Sequence, residues 1–165
     1  MVGREADPTS SPGRGQGVII LSAEDYTNLL MFRTALRRFD SWSHQQARRV
    51  GLTAAQHQLL LAVKGHRDPL GPTIGEVAEY LNTRHHSVVE LVDRSERLAL
   101  VRRCRDGEDA RVVRLRLCEL GEERIAQLSE LHLAELARLT PVLQHLLGQP
   151  PAGKTPPPGG MSGPG

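Results

Sequence analysis

Aromatic residues make up only 3% of this 165-residue chain: one Trp, two Tyr and two Phe. A core drawn from that composition has to be mostly Leu, Val, Ala and Ile, and the apolar total of 39% suits one globular domain of ordinary size. Lysine is nearly missing too. Lys64 and Lys154 are the only two, so the positive charge is arginine, whose planar guanidinium suits phosphate and base edges. Arginine-favouring codon usage accounts for the same bias without any ligand. The net charge is +2, too small to identify a partner; any attraction to a polyanion has to come from local clusters. Cys104 and Cys118 are the only cysteines. A hairpin described below sets Cys104 opposite residues near 112, away from Cys118, so spectator thiols are expected rather than a disulfide. No stretch has the apolar length of a membrane span, and MVGREADPTSSPGRGQG (1–17) lacks the apolar h-region of a secretory signal. A cytoplasmic protein with no membrane partner is expected.

The spacings of common catalytic and metal sites are missing as well. There is no phosphate loop, no Gly-x-Ser-x-Gly elbow and no dinucleotide fingerprint. Seven histidines are present, but none in His-x-x-x-His spacing, and no Cys-x-x-Cys occurs. His85 and His86 point to different faces of one helix, His57 and His66 are more than a turn apart, and His132 and His145 flank Pro141. Neither an enzyme nor a cofactor is expected.

What is there is helical periodicity. Between Gly-, Pro- and Ser-rich tails (1–17 and 148–165), expected to be disordered, one domain spans 18–147. Ser22 is a plausible N-cap, with Glu24 and Asp25 in the first turn. Tyr26, Leu29, Leu30, Leu36, Phe39 and Trp42 then recur at helical spacing to about residue 49. A long helix before any compact unit has little of its own chain to cover it, which suggests a second subunit. Thr53 and Gln56 form a capping box ahead of Leu59, Leu60 and Val63. After a DPLGP loop (68–72), Thr73 and Glu76 form another, with Ile74, Val77, Ala78 and Leu81 facing inward. A short turn, Asn82-Thr83, leads to RHHSVVELVDRSERL, which buries Val88, Leu91, Val92 and Leu98. The last helix starts near Glu119 with Ile125, Leu128, Leu131, Leu136 and Leu139 in a stripe. Pro141 is expected to break or kink it, and Gly148 to stop it.

Two short helices joined by a tight turn read as a helix-turn-helix, or equally as a helical hairpin with a solvated face. The segment after them changes the balance. LVRRCRDGEDARVVRLRL (100–117) places arginines at 102, 103, 105, 111, 114 and 116 around an acidic tip, Asp106-Gly107-Glu108-Asp109. Val113, Leu115 and Leu117 face one way; Val112, Arg114 and Arg116 face the other. Helix-turn-helix plus basic hairpin is a winged helix. Its second helix reads the major groove, and its wing lays arginine along phosphate or into a minor groove. Acidic residues are interleaved at Glu90, Asp93, Glu96, Asp106, Glu108 and Asp109, where pairing with neighbouring arginines would orient them.

The pattern resembles the MarR (multiple antibiotic resistance regulator) family over roughly residues 24–147. TIGEVAEYL, HHSVVELVDR and LVRRCRDGEDARVVRLRLCELG carry the resemblance, with Asp109-Ala110-Arg111 matching the family's Asp-x-Arg wing and Leu117 and Gly121 its closing pair. It implies a mainly α fold with a small β-hairpin wing: a winged helix-turn-helix lobe (53–117) flanked by long dimerisation helices (22–49 and 119–147). The implied function is transcription regulation, as a homodimeric repressor on a pseudo-palindromic operator in double-stranded DNA. The implied DNA-binding residues are Thr83, Arg84, His85, His86, Ser87, Glu90 and Arg94 on the recognition helix, and Arg103, Arg105, Asp109 and Arg111 on the wing. Arg111 is implied to enter the minor groove, oriented by Asp109.

Four positions depart from the family pattern. Cys118 stands where Thr caps the last helix, and Ala99 where Gly ends the recognition helix. Ser95 replaces Leu beneath that helix. Arg84 stands where Ser or Thr caps it, which leaves Thr83 as the expected cap. Many members respond to small aromatic acids or phenols bound between the dimer helices and the lobe. Trp42, His44 and Arg67 lie in segments that could line such a pocket, though packing or exposure explains each as well. A peroxide-sensing cysteine near the start of the first helix is missing. The other readings left open are a winged helix used as a protein-interaction module and a metal-responsive regulator of the same fold, its ligands converging from separate segments.

Overall fold

In a computed structural model, residues 21–106, 109 and 111–147 are described. The order is α1 (Ala23–Arg49), α2 (Ala54–Lys64), α3 (Ile74–Tyr80), α4 (His85–Arg97), β1 (Val101–Arg105), β2 (Val113–Leu117) and α5 (Glu119–Leu147). Both tails with Gly148, residues 18–20 at the expected start of the domain, and the wing-tip residues Gly107, Glu108 and Ala110 lie outside the described residues. Among the described residues no helix is long and apolar enough to cross a membrane.

Three helices begin in the same way. Ser22, Thr53 and Thr73 each accept a hydrogen bond from the backbone N–H three residues on, and Asp25, Gln56 and Glu76 each accept one from the N-cap N–H. Each box satisfies two otherwise orphaned donors, a contribution of about 1 kcal/mol. The backbone bond from Thr73 also holds the Glu76 carboxyl below the usual carboxylate range.

Three helices also end in the same way. Beyond α1, α3 and α4 the chain turns through a left-handed residue, Gly51 (φ 77), Asn82 (φ 47) and Ala99 (φ 52). The following N–H reaches back five residues: Leu52 to the Ala47 carbonyl, Thr83 to Ala78 and Leu100 to Ser95, at 2.9, 3.0 and 3.0 Å. This is the Schellman closure, which suits Gly or Asn. Ala99 adopts it despite its Cβ, so α4 ends as a glycine would end it. After two of these turns the returning residue is apolar and buried, Leu52 at 4% exposed and Leu100 at 2%. This corrects the expectation for Leu98. It is 52% exposed, because the left-handed turn carries Leu100, not Leu98, back onto the core.

The core joins Leu59, Leu60 and Val63 of α2, Val77 of α3, Val88, Leu91 and Val92 of α4, Leu115 of β2, and Ile125 and Leu128 of α5. β1 and β2 pair antiparallel with Val101 opposite Leu117, Arg103 opposite Leu115 and Cys104 opposite Arg114; both thiols are free. The backbone before α3 extends the hairpin, since the Leu115 N–H donates to the Pro72 carbonyl at 2.8 Å. That approach requires Gly71. A Cβ there would stand 2.1 Å from the Leu115 carbonyl oxygen, and one at Gly121 would stand 2.0 Å from that of Leu100.

α1 packs along α5. At their junction with α2 a ring cluster forms: Trp42 lies 4.9 Å from His132 and His57 4.7 Å from His132, centroid to centroid. His132 Nδ1 donates to the Leu128 carbonyl at 2.7 Å, so Nε2 accepts from the Ser43 hydroxyl at 2.8 Å. Farther along, the apolar stripes lie in solvent: Tyr26, Leu29, Leu30 and Leu36 on α1, and Leu131, Leu133 and Leu136 on α5, are exposed. Pro141 does not end α5, which runs unbroken to Leu147. Proline removes one N–H, and at this exposed position water can meet the carbonyl left without it.

Ala99→Gly should stabilise the chain by about 0.5–1 kcal/mol, since the left-handed cost of a Cβ exceeds the entropy that glycine adds to the unfolded state. Denaturant unfolding checks this, and an unchanged or lower midpoint would contradict it. His57 is 5% exposed; burial, then the nearby His132 and His44, lowers its pKa from 6.5 to about 4. Between those values the unfolded chain binds the proton and the folded chain does not. Stability should therefore fall as pH drops from about 6.5 to about 4, by roughly 2 kcal/mol after allowance for screening. In His57→Gln, unfolding curves at pH 7 and pH 4.5 should lie closer together than in the wild type.

Candidate nucleic-acid interface

α4 has one apolar and one polar face. Val88, Leu91, Val92 and Ser95 are buried. Ser95, smaller than the leucine it replaces, satisfies its hydroxyl by donating to the Leu91 carbonyl at 2.8 Å. The opposite face exposes Arg84, His85, His86, Glu90 and Arg94, with Thr83 exposed just ahead and Ser87 partly covered. Glu90 and Arg94 stand 3.7 Å apart, one turn along, an exposed pair too weak to prevent either from finding another partner. The expected Thr83 cap is not formed. The first bonds of α4 run from the Ser87 and Val88 N–H groups to the Arg84 carbonyl, so Arg84 is the N-cap, and its side chain makes no capping bond. Thr83 instead uses its N–H to close α3. Asn82, Thr83, Arg84, His86 and Ser87 line a shallow concavity at this end of the helix, where uncapped N–H groups and the helix dipole favour an anion.

The wing divides its arginines. Arg103 lies against α4, where Asp93 and Glu96 hold its guanidinium. Burial works against its charge, but the two carboxylates outweigh burial and raise its pKa. Arg114 lies on the other face. Its Nε donates to Asp106 at 2.6 Å, its Nη1 to the Gly71 carbonyl at 2.9 Å, and Asp68 stands 3.2 Å away. The Asp106 hydrogen bond chiefly raises its pKa. Arg105 and Arg111 are exposed and form no ion pair with any described residue. Asp109 accepts the Arg111 backbone N–H at 2.9 Å, an Asx turn; it orients the chain at Arg111 rather than the guanidinium itself. Arg102 and Arg116 face each other across the ladder and, with Lys64, line a groove behind the wing.

The model of the MarR family matches residues 50–112, from the end of α1 to the wing. The lobe is a MarR-family winged helix. Solved MarR-family structures share its fold. One transcription regulator superposes at TM-score 0.63 with 22% identity, covering 76% of this chain and 87% of its own. AbsC, a transcriptional regulator from Streptomyces coelicolor, superposes at 0.60 with 19% identity, covering 79% and 99%. A mutant form of Staphylococcus aureus MepR, bound to an oligodeoxyribonucleotide, superposes at 0.54 with 20% identity, covering 74% and 83%. No curated protein matches the chain.

On the MarR lobe the structure brings Thr83, Arg84, His85, His86 and Ser87 together at the start of α4, with Glu90 and Arg94 farther along the same face. Arg105, Asp109 and Arg111 lie on the wing. Trp42, His44 and Arg67 do not form one pocket. Trp42 packs on Phe39 and His132, His44 lies 3.4 Å from Asp40, and Arg67 lines a groove of about 630 Å³ with Leu61, His66, Tyr80 and Leu81. Among the described residues no three His, Cys, Asp or Glu side chains gather to hold a metal ion. The anchoring roles of Asp68 and Gly71 went unrecognised in the sequence. The Gly-Pro pair in DPLGP signals a turn, but nothing local shows that an arginine 43 residues away ends on it.

Because Arg84 occupies the cap position without capping, Arg84→Ser should raise thermal stability by about 1 kcal/mol. Calorimetry showing no gain would mean that the first turn of α4 is already satisfied.

Proposed function

We propose that this chain is a homodimeric, sequence-specific DNA-binding transcriptional regulator, a repressor that a small-molecule effector releases from its operator. The observation that carries the reading is that two basic elements of one lobe are left exposed together. Arg84, His85, His86 and Arg94 line the outer face of α4, and Arg105 and Arg111 stand on the wing. α4 suits the major groove, where its N-terminal side chains reach base edges, and the wing suits the adjacent backbone or minor groove. The related MepR fold bound to an oligodeoxyribonucleotide supports this. The exposed apolar residues of α1 and α5 support a second copy, because stripes of that kind left in water favour association. An isologous pairing sets two lobes about one axis and so asks for two half-sites. Phe39, Trp42, His57 and His132 lie where the lobe joins these long helices. A small aromatic ligand acting there would change the spacing of the two lobes and with it the fit to the operator.

The test is a shift assay on DNA upstream of the chain's own gene, across a salt series. Wild type should form a discrete complex that weakens steeply with salt and resists random competitor. Arg111→Ala should bind about tenfold more weakly and reduce the salt slope by about 1. Equal affinity of the two proteins would remove the wing from the interface, and only weak, sequence-blind binding to this DNA, competed fully by random DNA, would refute the regulator.

A further inference from the structure

Arg103 sits at the middle of β1, opposite Leu115. Its backbone N–H donates to Glu96 Oε1 at 2.7 Å, its Nη1 to Glu96 Oε2, and its Nη2 to Asp93 Oδ1 at 2.7 Å. Asp93 and Glu96 are three residues apart and share one face of α4. All three side chains are partly shielded, at 29%, 46% and 30% exposed. Charge-assisted bonds that span two carboxylates and also engage the backbone fix an orientation as well as a distance. The two carboxylates lie on the helix proposed to enter the groove of a polyanion. By charge alone, each one weakens DNA binding.

We infer that Arg103 is a positioning residue: with Asp93 and Glu96 it clamps β1 to the recognition helix, so that α4 and the wing meet DNA as one rigid surface. This rests on the DNA-binding reading above and replaces a phosphate contact for Arg103 itself. Arg114 supplies the matching anchor on the other face of the hairpin, joining β2 to the α2–α3 loop through Asp68 and the Gly71 carbonyl. Held from both faces, the hairpin carries Arg105 and Arg111 at a set angle to α4.

The clamp and a direct phosphate contact predict opposite signs. If Arg103 binds phosphate, removing the carboxylates frees it and lowers the negative charge, so DNA binding tightens. If Arg103 is a clamp, Asp93→Asn with Glu96→Gln should bind the operator about tenfold more weakly and with a shallower salt slope, although the protein has become more positive. In an Arg111→Ala background the same pair should cost little more, since the wing contact it positions is already gone. Arg103→Lys should lose part of the affinity, because an ammonium cannot span both carboxylates. Equal or tighter operator binding by the carboxylate variants, or full additivity with Arg111→Ala, overturns the inference.

Amide exchange in the free protein reads the clamp without DNA. Exchange at Arg103 to Arg105 should speed up in the carboxylate variants, and unchanged exchange overturns the clamp. A wild type that fails to bind operator while these amides still respond refutes the regulator, and with it the purpose assigned to the clamp, but not the contact.

Discussion

Leu100 is where the lobe is joined. Its N–H closes α4 on the Ser95 carbonyl, and its own carbonyl accepts the Cys118 N–H, both at 3.0 Å. Its side chain is buried. Gly121 lies so close to its carbonyl that no side chain fits between them. One residue therefore ends α4, begins the wing and seats the long C-terminal helix. The left-handed turn at Ala99 delivers it there. Backbone groups in such a junction must find partners or pay the desolvation cost, so the three elements cannot shift independently. The matching turn at Asn82 sets the angle between α3 and α4, which makes the geometry of the whole helix-turn-helix a matter of two left-handed residues.

On this frame the charges divide into two kinds. Arg103 and Arg114 are enclosed by carboxylates, while Arg105 and Arg111 stand in solvent on the wing. The acidic residues that keep the net charge at +2 are therefore not evenly opposed to a polyanion. Asp93, Glu96, Asp68 and Asp106 neutralise arginines that face inward, while Arg84 and Arg94 beside α4's outer face and Arg105 and Arg111 on the wing stay exposed, as do Arg33, Arg37, Arg38, Arg48 and Arg49 of α1. Local arrangement, not total charge, decides where such a surface attracts phosphate.

Much of the fold was legible because its determinants are local. Ser22, Thr53 and Thr73 announce helix starts by reaching residues only three positions on. Hydrophobic periodicity places Leu59, Leu60, Val77, Val88 and Val92 in the core, and the alternation of Val113 to Leu117 marks a strand. The misplaced residues lie where a turn redirects the chain. Helical periodicity continued through Leu98 points it inward, but the left-handed turn substitutes Leu100. Thr83 has the chemistry of a cap, yet its N–H closes the preceding helix and α4 starts one residue later. Pro141 breaks a local rule that an exposed helix position tolerates.

By itself the sequence determined the order of elements, the winged-helix pattern and the clustering of arginines on the hairpin, because capping, periodicity and turn chemistry act within a few residues. Only the tertiary structure decided which arginines are held and which are exposed. In the sequence Arg103, Arg105, Arg111 and Arg114 look alike. Their separation comes from partners 7, 10 and 43 residues away, brought close by the packing of α4 and the α2–α3 loop on the two faces of the hairpin. A carboxylate can restrain a guanidinium only within a few ångströms, and it is the fold that sets that distance.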